Sequence, residues 1–308
     1  MNHFIIDGNN LMYRAHSANM ELKTSLGKYS GMFYGFVRTL FSLRKKYRNF
    51  KFIVVWDNRA KAKYDIQPDY KAGRSMLSGT IWEQVTDIRT CLSVMGIDQY
   101  EKKEYEADDV MASLTKTLKA EGQVYIYTND KDLLQLVQDG KVIVYKPKVG
   151  VNPEKFFDEE AVKNMFDVPP SKLGVFRSFD GDDSDNIKGI SRVPRKIVAS
   201  LVNEYSSVEN IYANLDKKEL TEFQKKSFEE AKDRIKKNVK IVMLDQDIQD
   251  LQKNESSFDK EKLEELLQRY EIKSIKSNDL IDLFSSNLDV RYSDPVEVVQ
   301  LETISLFD

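Results

Sequence analysis

The sequence predicts an α/β protein in which a mostly parallel central sheet is followed by a helical subdomain, and three observations predict it. Runs at Phe4-Ile5-Ile6, Phe52-Ile53-Val54-Val55-Trp56 and Val124-Tyr125-Ile126-Tyr127 are continuously apolar, β-branched or aromatic, as strands buried on both faces are. Segments with helical spacing separate them. Beyond about residue 160 the strand signal fades and helical patterns follow one another.

In chain order, the first run ends at Asp7, and residues 32–47 then place Phe33, Phe36, Val37, Leu40 and Phe41 on one helical face. The second run ends at Asp57. Residues 58–79 are basic, without a strand or a convincing apolar stripe, and long irregular segments inside compact domains are usually functional or disordered. Residues 81–94 read as a helix through Val85, Ile88 and Leu92, another helix opens after Tyr105, and the third run ends in Thr128-Asn129-Asp130. Residues 161–166, 194–205, 221–239 and 260–270 read as helices between polar turns. The expected organisation is a catalytic domain over 1–175, a helical subdomain over 176–285 and a flexible tail over 286–308. In a β-α-β-α-β sheet, ligands gather at the carboxyl ends of the strands.

Composition narrows the chemistry. With 308 residues, 41% hydrophobic and 31% charged, the chain suits a soluble protein with a sizeable core. No run approaches a membrane span and no basic leader precedes Phe4, so a cytoplasmic protein of a bacterium or of a phage in its host is expected. Cys91 is the lone cysteine and His3 and His16 the only histidines, which argues against a zinc site and leaves oxygen ligands for any metal. The net charge of −3 speaks against a simple basic nucleic-acid binder. Yet residues 36–74 hold 11 basic residues against three acids, a block able to neutralise several phosphates.

Acids fall in five separated groups: Asp7; Asp57; Glu106, Asp108 and Asp109; Asp130 and Asp132; and Asp180, Asp182, Asp183 and Asp185. Each group alone is ordinary cap or turn chemistry. Jointly, parallel strands bring Asp7, Asp57 and Asp130 to one sheet edge where the helix after Tyr105 also begins. That many carboxylates repel strongly unless divalent cations neutralise them. All-oxygen sites select Mg²⁺ or Mn²⁺, and two such ions suit in-line phosphoryl displacement.

Six blocks carry a resemblance: Ile6-Asp7-Gly-Asn-Asn-Leu-Met-Tyr-Arg14, Val55-Trp-Asp57, Tyr70-Lys71-Ala-Gly-Arg74, Tyr105-Glu-Ala-Asp-Asp-Val110, Thr128-Asn-Asp-Lys-Asp-Leu-Leu134 and Gly181-Asp-Asp-Ser-Asp-Asn186. In order and spacing they resemble the 5′ nuclease family of phage 5′-3′ exonucleases, flap endonucleases and the N-terminal nuclease domain of bacterial DNA polymerase I. The resemblance implies a PIN-like nuclease domain, a helical arch at about residues 58–80 and a helix-hairpin-helix type module gripping duplex DNA. It implies that Asp7, Asp57, Glu106, Asp108 and Asp109 hold a first Mg²⁺, that Asp130, Asp132, Asp182 and Asp185 complete a second site, and that Mn²⁺ substitutes. Lys71, Arg74 and Arg14 match basic positions near the scissile phosphate, where cations offset developing charge. Asp180 and Asp183 fall outside the matching positions and read as turn or surface residues. Tyr70 reads either as a base-stacking aromatic or as core.

Where the family often has a Gly-Val-x-Gly-Ile-Gly hairpin that binds a duplex phosphate through potassium, this chain reads Gly189-Ile-Ser-Arg192-Val-Pro194. Two glycines are replaced, which weighs against the same turn and against a bound K⁺. Lys188, Arg192, Arg195 and Lys196 are left to contact phosphates. The tail Thr303-Ile-Ser-Leu-Phe307 resembles peptides that dock on sliding clamps, although a frayed terminus is the plainer reading. The expected protein is a monomer that hydrolyses phosphodiesters near DNA 5′ ends, flaps or nicks, and accepts RNA-DNA hybrids. The rival readings are a PIN-type ribonuclease and a non-catalytic DNA-binding subunit.

Overall fold

The computed structural model describes residues 1–72, 79–148, 150 and 153–285. Its sheet has seven strands in the order β6-β5-β4-β1-β2-β3-β9. The strands β1 (Asn2–Asp7), β2 (Phe50–Val55), β3 (Asp98–Glu101), β4 (Val124–Tyr127) and β5 (Val142–Lys146) are parallel neighbours. The edges β6 (Lys155–Phe157) and β9 (Gln252–Asn254) run antiparallel. Three strands were legible in the sequence. The run Val142-Ile-Val-Tyr carried the same apolar signal as those three. The polar β3 (Asp-Gln-Tyr-Glu) and β9 (Gln-Lys-Asn) carried none, since partners far along the chain define them.

Alternation along the strands builds two cores. Ile5, Ile53, Val55, Ile126 and Val144 face an aliphatic layer under α5 (Ala107–Leu118), α7 (Pro170–Asp180), α8 (Arg195–Tyr205) and α10 (Glu222–Val242). The short helices α6 (Glu159–Phe166) and α9 (Val208–Asn214) border this layer. Phe4, Ile6, Phe52 and Val54 face an aromatic layer under α1 (Gly8–Ala18), α2 (Gly31–Lys46) and α4 (Gly79–Val94). Each fully buried Phe there contributes about 2 kcal/mol or more.

Two expectations need correction. Residues 252–285 were assigned to the helical subdomain, but they return to the sheet: β9 closes its edge, while α11 (Lys260–Arg269) and α12 (Ser277–Ser285) cover the aromatic face. Tyr270 stacks on Phe33 with ring centroids 4.1 Å apart. Periodicity announces a helix but not its docking place. The segment after Asn58, irregular by its residues although the resemblance implies a helical arch there, contains a helix, α3 (Lys61–Ile66), too short to show a stripe. Its Tyr64 and the following Ile66 pack on Tyr70, Ile187, Ile241 and Val242.

Among the described residues no helix is long and apolar enough to cross a membrane. The tail and Arg74 lie outside the described residues.

Candidate active site

Register brings the acids together. Asp7 aligns with Val55, and Ile6 with Tyr127, so Asp7, Asp57 and Asp130 leave the sheet at one edge. Asp7 caps α1, accepting from Asn10 N at 2.8 Å and from Thr128 Oγ1 at 3.1 Å. Gly8 permits the tight exit, since a Cβ there would stand 2.8 Å from Trp56 and 2.9 Å from the Val55 carbonyl. Asp57 Oδ1 accepts from Ala107 N at 3.0 Å, satisfying an end of α5 that its own N-cap Glu106 leaves open. The Glu106 side chain is thereby released towards the site.

The centre of the cluster is only partly compensated. Burial first, then Asp130 and Asp57, raise the Asp7 carboxyl to about 7 against the capping hydrogen bond from Asn10. Burial, Asp130 and Asp7 raise Asp108 well above the carboxylate range. Burial, with Asp185 and Asp182, raises Asp130. Among the described residues none of Asp7, Asp108 and Asp130 makes an ion pair. These are the signatures of carboxylates crowded with too little counter-charge, because Lys71 lowers Asp108 and Asp130 by less than burial and the neighbouring acids raise them.

Around that centre the chain supplies its own cations. Lys63 Nζ, on α3, lies 2.7 Å from Glu106 and 2.9 Å from Asp109, and these two acids raise its pKa against burial. Lys71 Nζ lies 2.5 Å from Glu106 and 3.9 Å from Asp185. Burial opposes ionisation of Glu106, but the two lysines hold its carboxyl below the usual value. Lys71 adopts φ +56, and its N–H donates to the Asp185 carbonyl at 3.2 Å. Arg177, in the last turn of α7, donates Nε to Asp132 at 2.9 Å, Nη1 to the Gly181 carbonyl at 3.0 Å and Nη2 to Asp182. Burial and Asp130 nevertheless raise Asp132 to about 6, whereas Ser184 and Arg177 keep Asp182 low against burial. Arg14 donates to the Tyr127 hydroxyl and, at 2.8 Å, to the Lys148 carbonyl, so it stands at the end of β4.

The predicted residues therefore separate. Asp7, Asp108, Asp130, Asp132, Asp182 and Asp185, with Glu106 and Lys71, form one electrostatically linked cluster, and Asp57 borders it. Asp109 does not face its centre: one oxygen meets Lys63, and the other accepts from Asp245 N at 3.0 Å. One turn of helix cannot point residues 108 and 109 the same way. Tyr70 is corrected as a base-stacking residue. It is 3% exposed, and its single hydroxyl proton is shared between Glu106 at 3.1 Å and Asp185 at 3.3 Å, leaving no ring face for a base.

Lys188, Arg192, Arg195 and Lys196 are exposed, as phosphate contacts must be, although Arg195 is paired with Asp180 at 2.8 Å. Asp180 is thus an ion-pair residue, and Asp183 is exposed. With two glycines replaced, the stretch still contains a left-handed residue. Arg192 takes φ +63 itself, at a strain of about 1 kcal/mol. The paired strands β7 (Gly181–Asp182) and β8 (Ile187–Lys188) hold Gly189 so close that a Cβ would lie 2.2 Å from the Asp180 carbonyl.

Two residues escaped the sequence reading. Lys61 and Lys63 are indistinguishable in a basic run, and only the facing of α3 buries one and exposes the other. Arg177 did leave a signal, as a charge amid Leu173, Val175, Phe176 and Phe179 on a core helix.

The donor set fits hard divalent cations, being entirely carboxylate and crowded beyond what its lysines neutralise. Among the described residues no three acidic, Cys or His side chains already close around one point as a bound ion requires. Ammonium groups stand among Glu106, Asp109 and Asp185.

The profile of the 5′-3′ exonuclease N-terminal resolvase-like domain matches residues 2–167, and that of the 5′-3′ exonuclease C-terminal SAM fold matches residues 168–266. A protein of Aquifex aeolicus named 5′-3′ exonuclease is 37% identical over 279 residues, 88% of this chain and 93% of that protein. DNA polymerase I of Caldicellulosiruptor bescii is 32% identical over 280 residues, covering 88% of this chain but only 32% of the polymerase. The flap endonuclease of bacteriophage T5, solved as a pseudo-enzyme-product complex with DNA and metal ions, shares the fold. Its TM-score is 0.63 at 18% identity, covering 94% of this chain and 100% of that one.

Proposed function

Because this chain belongs to the 5′-3′ exonuclease family, whose members are phosphodiester hydrolases, we propose that its acidic sheet edge cleaves DNA near 5′ ends, flaps and nicks with divalent metal. One observation carries this reading: Asp7, Asp108 and Asp130 crowd together without an ion-pair partner among the described residues, their carboxyls raised by burial and by one another. Two Mg²⁺, replaceable by Mn²⁺, would be held by Asp7, Asp57, Glu106 and Asp108 on one side and by Asp130, Asp132, Asp182 and Asp185 on the other. When bound, such ions activate the attacking water and stabilise the leaving oxygen.

The chain's own residues do the rest. Thr128 and Asn10 fix both oxygens of Asp7, and Asp132 N fixes Asp130 at 2.8 Å, so these carboxylates are oriented before any ion arrives. Lys71 exchanges Glu106 for the scissile phosphate, where its ammonium offsets developing charge. Arg14, held on Tyr127, meets the neighbouring phosphate. Tyr70 keeps Glu106 and Asp185 at a fixed distance from each other. Lys188, Arg192 and Lys196 contact the duplex through side chains, which requires no potassium ion at the hairpin. Removal of RNA primers and a monomeric cytoplasmic state complete the reading, and loss of clamp binding on deletion of residues 299–308 would add docking to it.

The test is cleavage of 5′-labelled flap, nicked, blunt and RNA-primed duplexes with Mg²⁺ or EDTA, alongside Asp130→Asn. We expect cleavage only with Mg²⁺ and its loss in the variant. Metal-independent cleavage, or full activity of Asp130→Asn, would overturn the reading.

A further inference from the structure

The two flanks of the acidic cluster are neutralised by different means. On one flank, Lys63 and Lys71 reach Glu106 from α3 and the turn beyond it. On the other, Arg177 is built into α7, a core helix, with its side chain 6% exposed. Its three nitrogens are all committed, to Asp132, to the Gly181 carbonyl and to Asp182. The remaining oxygen of Asp182 accepts from Ser184 N at 2.9 Å and from Ser184 Oγ at 2.6 Å. Asp182 thus accepts three hydrogen bonds from the protein, and an ion approaching it has to compete with a fixed guanidinium. In the centre the position is reversed, since none of Asp7, Asp108 and Asp130 makes an ion pair among the described residues.

We propose that Arg177 is a positioning residue that locks Asp132 to Asp182 and supplies a permanent positive charge on that flank. A divalent ion then binds tightly beside Asp7 and Asp108 and a second only weakly beside Asp130, Asp132 and Asp182. The guanidinium bridges the loop after β4 and the β7–β8 turn, so it holds Asp132 and Asp182 in place while the weak position is empty. Its charge repels an incoming cation, and its hydrogen bonds withhold one oxygen of each carboxylate. The inference rests on the divalent-metal reading above.

Binding can be read without cleavage by titrating the metal-free full chain with Mn²⁺ and counting free ions by electron paramagnetic resonance. We expect one tight ion and a second bound at least about tenfold more weakly, the effect of one unit charge a few ångströms from a divalent ion even under strong screening. Arg177→Gln, which removes the charge but keeps an amide donor, should tighten the second ion by about tenfold or more and leave the first within about twofold. Arg177→Lys, which keeps the charge, should retain the weak second site. Two ions of equal affinity in the parent chain would overturn the role of Arg177 while leaving the metal reading intact. A second ion weakened or unchanged in Arg177→Gln would overturn it too, because orientation alone would then explain the residue. No bound Mn²⁺ at all would bring down the metal reading, and this inference with it.

Discussion

Asp98 and Asp7 stand on strands of the same sheet and are equally hidden, at 5% and 7% exposure, yet burial leaves them in opposite states. Asp98 opens β3 with Lys51 and Lys253 both 2.8 Å from its carboxylate. Burial works against its charge, but the two lysines hold its pKa below the ordinary value. Asp7 closes β1 beside Asp130 and Asp57, and its carboxyl is raised to about 7. The first acid is a completed structural contact tying β2, β3 and β9 together. The second belongs to a cluster that repels itself until positive charge arrives. Burial alone therefore does not mark a functional carboxylate, whereas burial without a counter-ion does.

The comparison breaks most visibly by substitution. Asp108→Asn is expected to lower cleavage at least on the order of a hundredfold while raising the melting temperature of the metal-free chain, because it removes a ligand and a repulsion together. Asp98→Asn should do the reverse, sparing cleavage and costing roughly 2 kcal/mol of stability through weakened charge-assisted hydrogen bonds. Flap-cleavage rates and thermal melts of both variants check this. A stabilised Asp98→Asn or a fully active Asp108→Asn would erase the distinction.

Acid titration sharpens it. Between the unfolded value of 3.8 and the native values of about 6 for Asp132 and about 7 for Asp7, these carboxyls are protonated in the native chain and ionised in the unfolded one. The unfolded state binds fewer protons there, so stability falls as pH rises through that window. Melting of the metal-free chain is expected to drop on the order of 10 °C between about pH 4 and pH 8, and Mg²⁺ should remove the drop. Asp98 contributes with the opposite sign. Its stabilisation is present above the unfolded value and is lost as pH falls through its lowered native pKa. A profile measured in EDTA that stays level to pH 8 would count against a centre with too little counter-charge.

Two smaller effects bear on intermediate cases. Lys63→Met leaves Glu106 with Lys71 but takes the ammonium partner from Asp109, and should cost roughly 2 kcal/mol and speed amide exchange over residues 61–66. Exchange unchanged there would mean that α3 is held by its apolar contacts alone. Arg192→Gly relieves a left-handed backbone at φ +63 and should stabilise the chain by about 1 kcal/mol, read as a small rise in melting temperature.

What could be read from the sequence follows from how local its causes are. Strands β1, β2 and β4 and the main helices come from contiguous runs, and the edge carrying Asp7, Asp57 and Asp130 follows from parallel strands. Strands β3 and β9 were hidden because their residues are polar and their pairing spans more than 150 positions. Within the site, the sequence supplied acids but not directions. Asp108 and Asp109 are identical as letters, and one turn of α5 sends the first to Asp7 and Asp130 and the second to Lys63 and Asp245. For Tyr70 the sequence leaves base and core open, and only the contacts of its hydroxyl with Glu106 and Asp185 decide for core.

The stack of Tyr270 on Phe33 sets a timetable for synthesis. A ribosome delivers the strands and the acids long before it delivers the residues that cover the aromatic face, so the nascent chain carries Phe33 and its neighbours uncovered through most of translation. Closure waits for α11 and α12, and with them for the strand that seals the edge of β3. Such late long-range contacts slow folding and leave a sticky surface open meanwhile. Shortening the chain before Lys260 would therefore harm yield and solubility before it touched a single carboxylate.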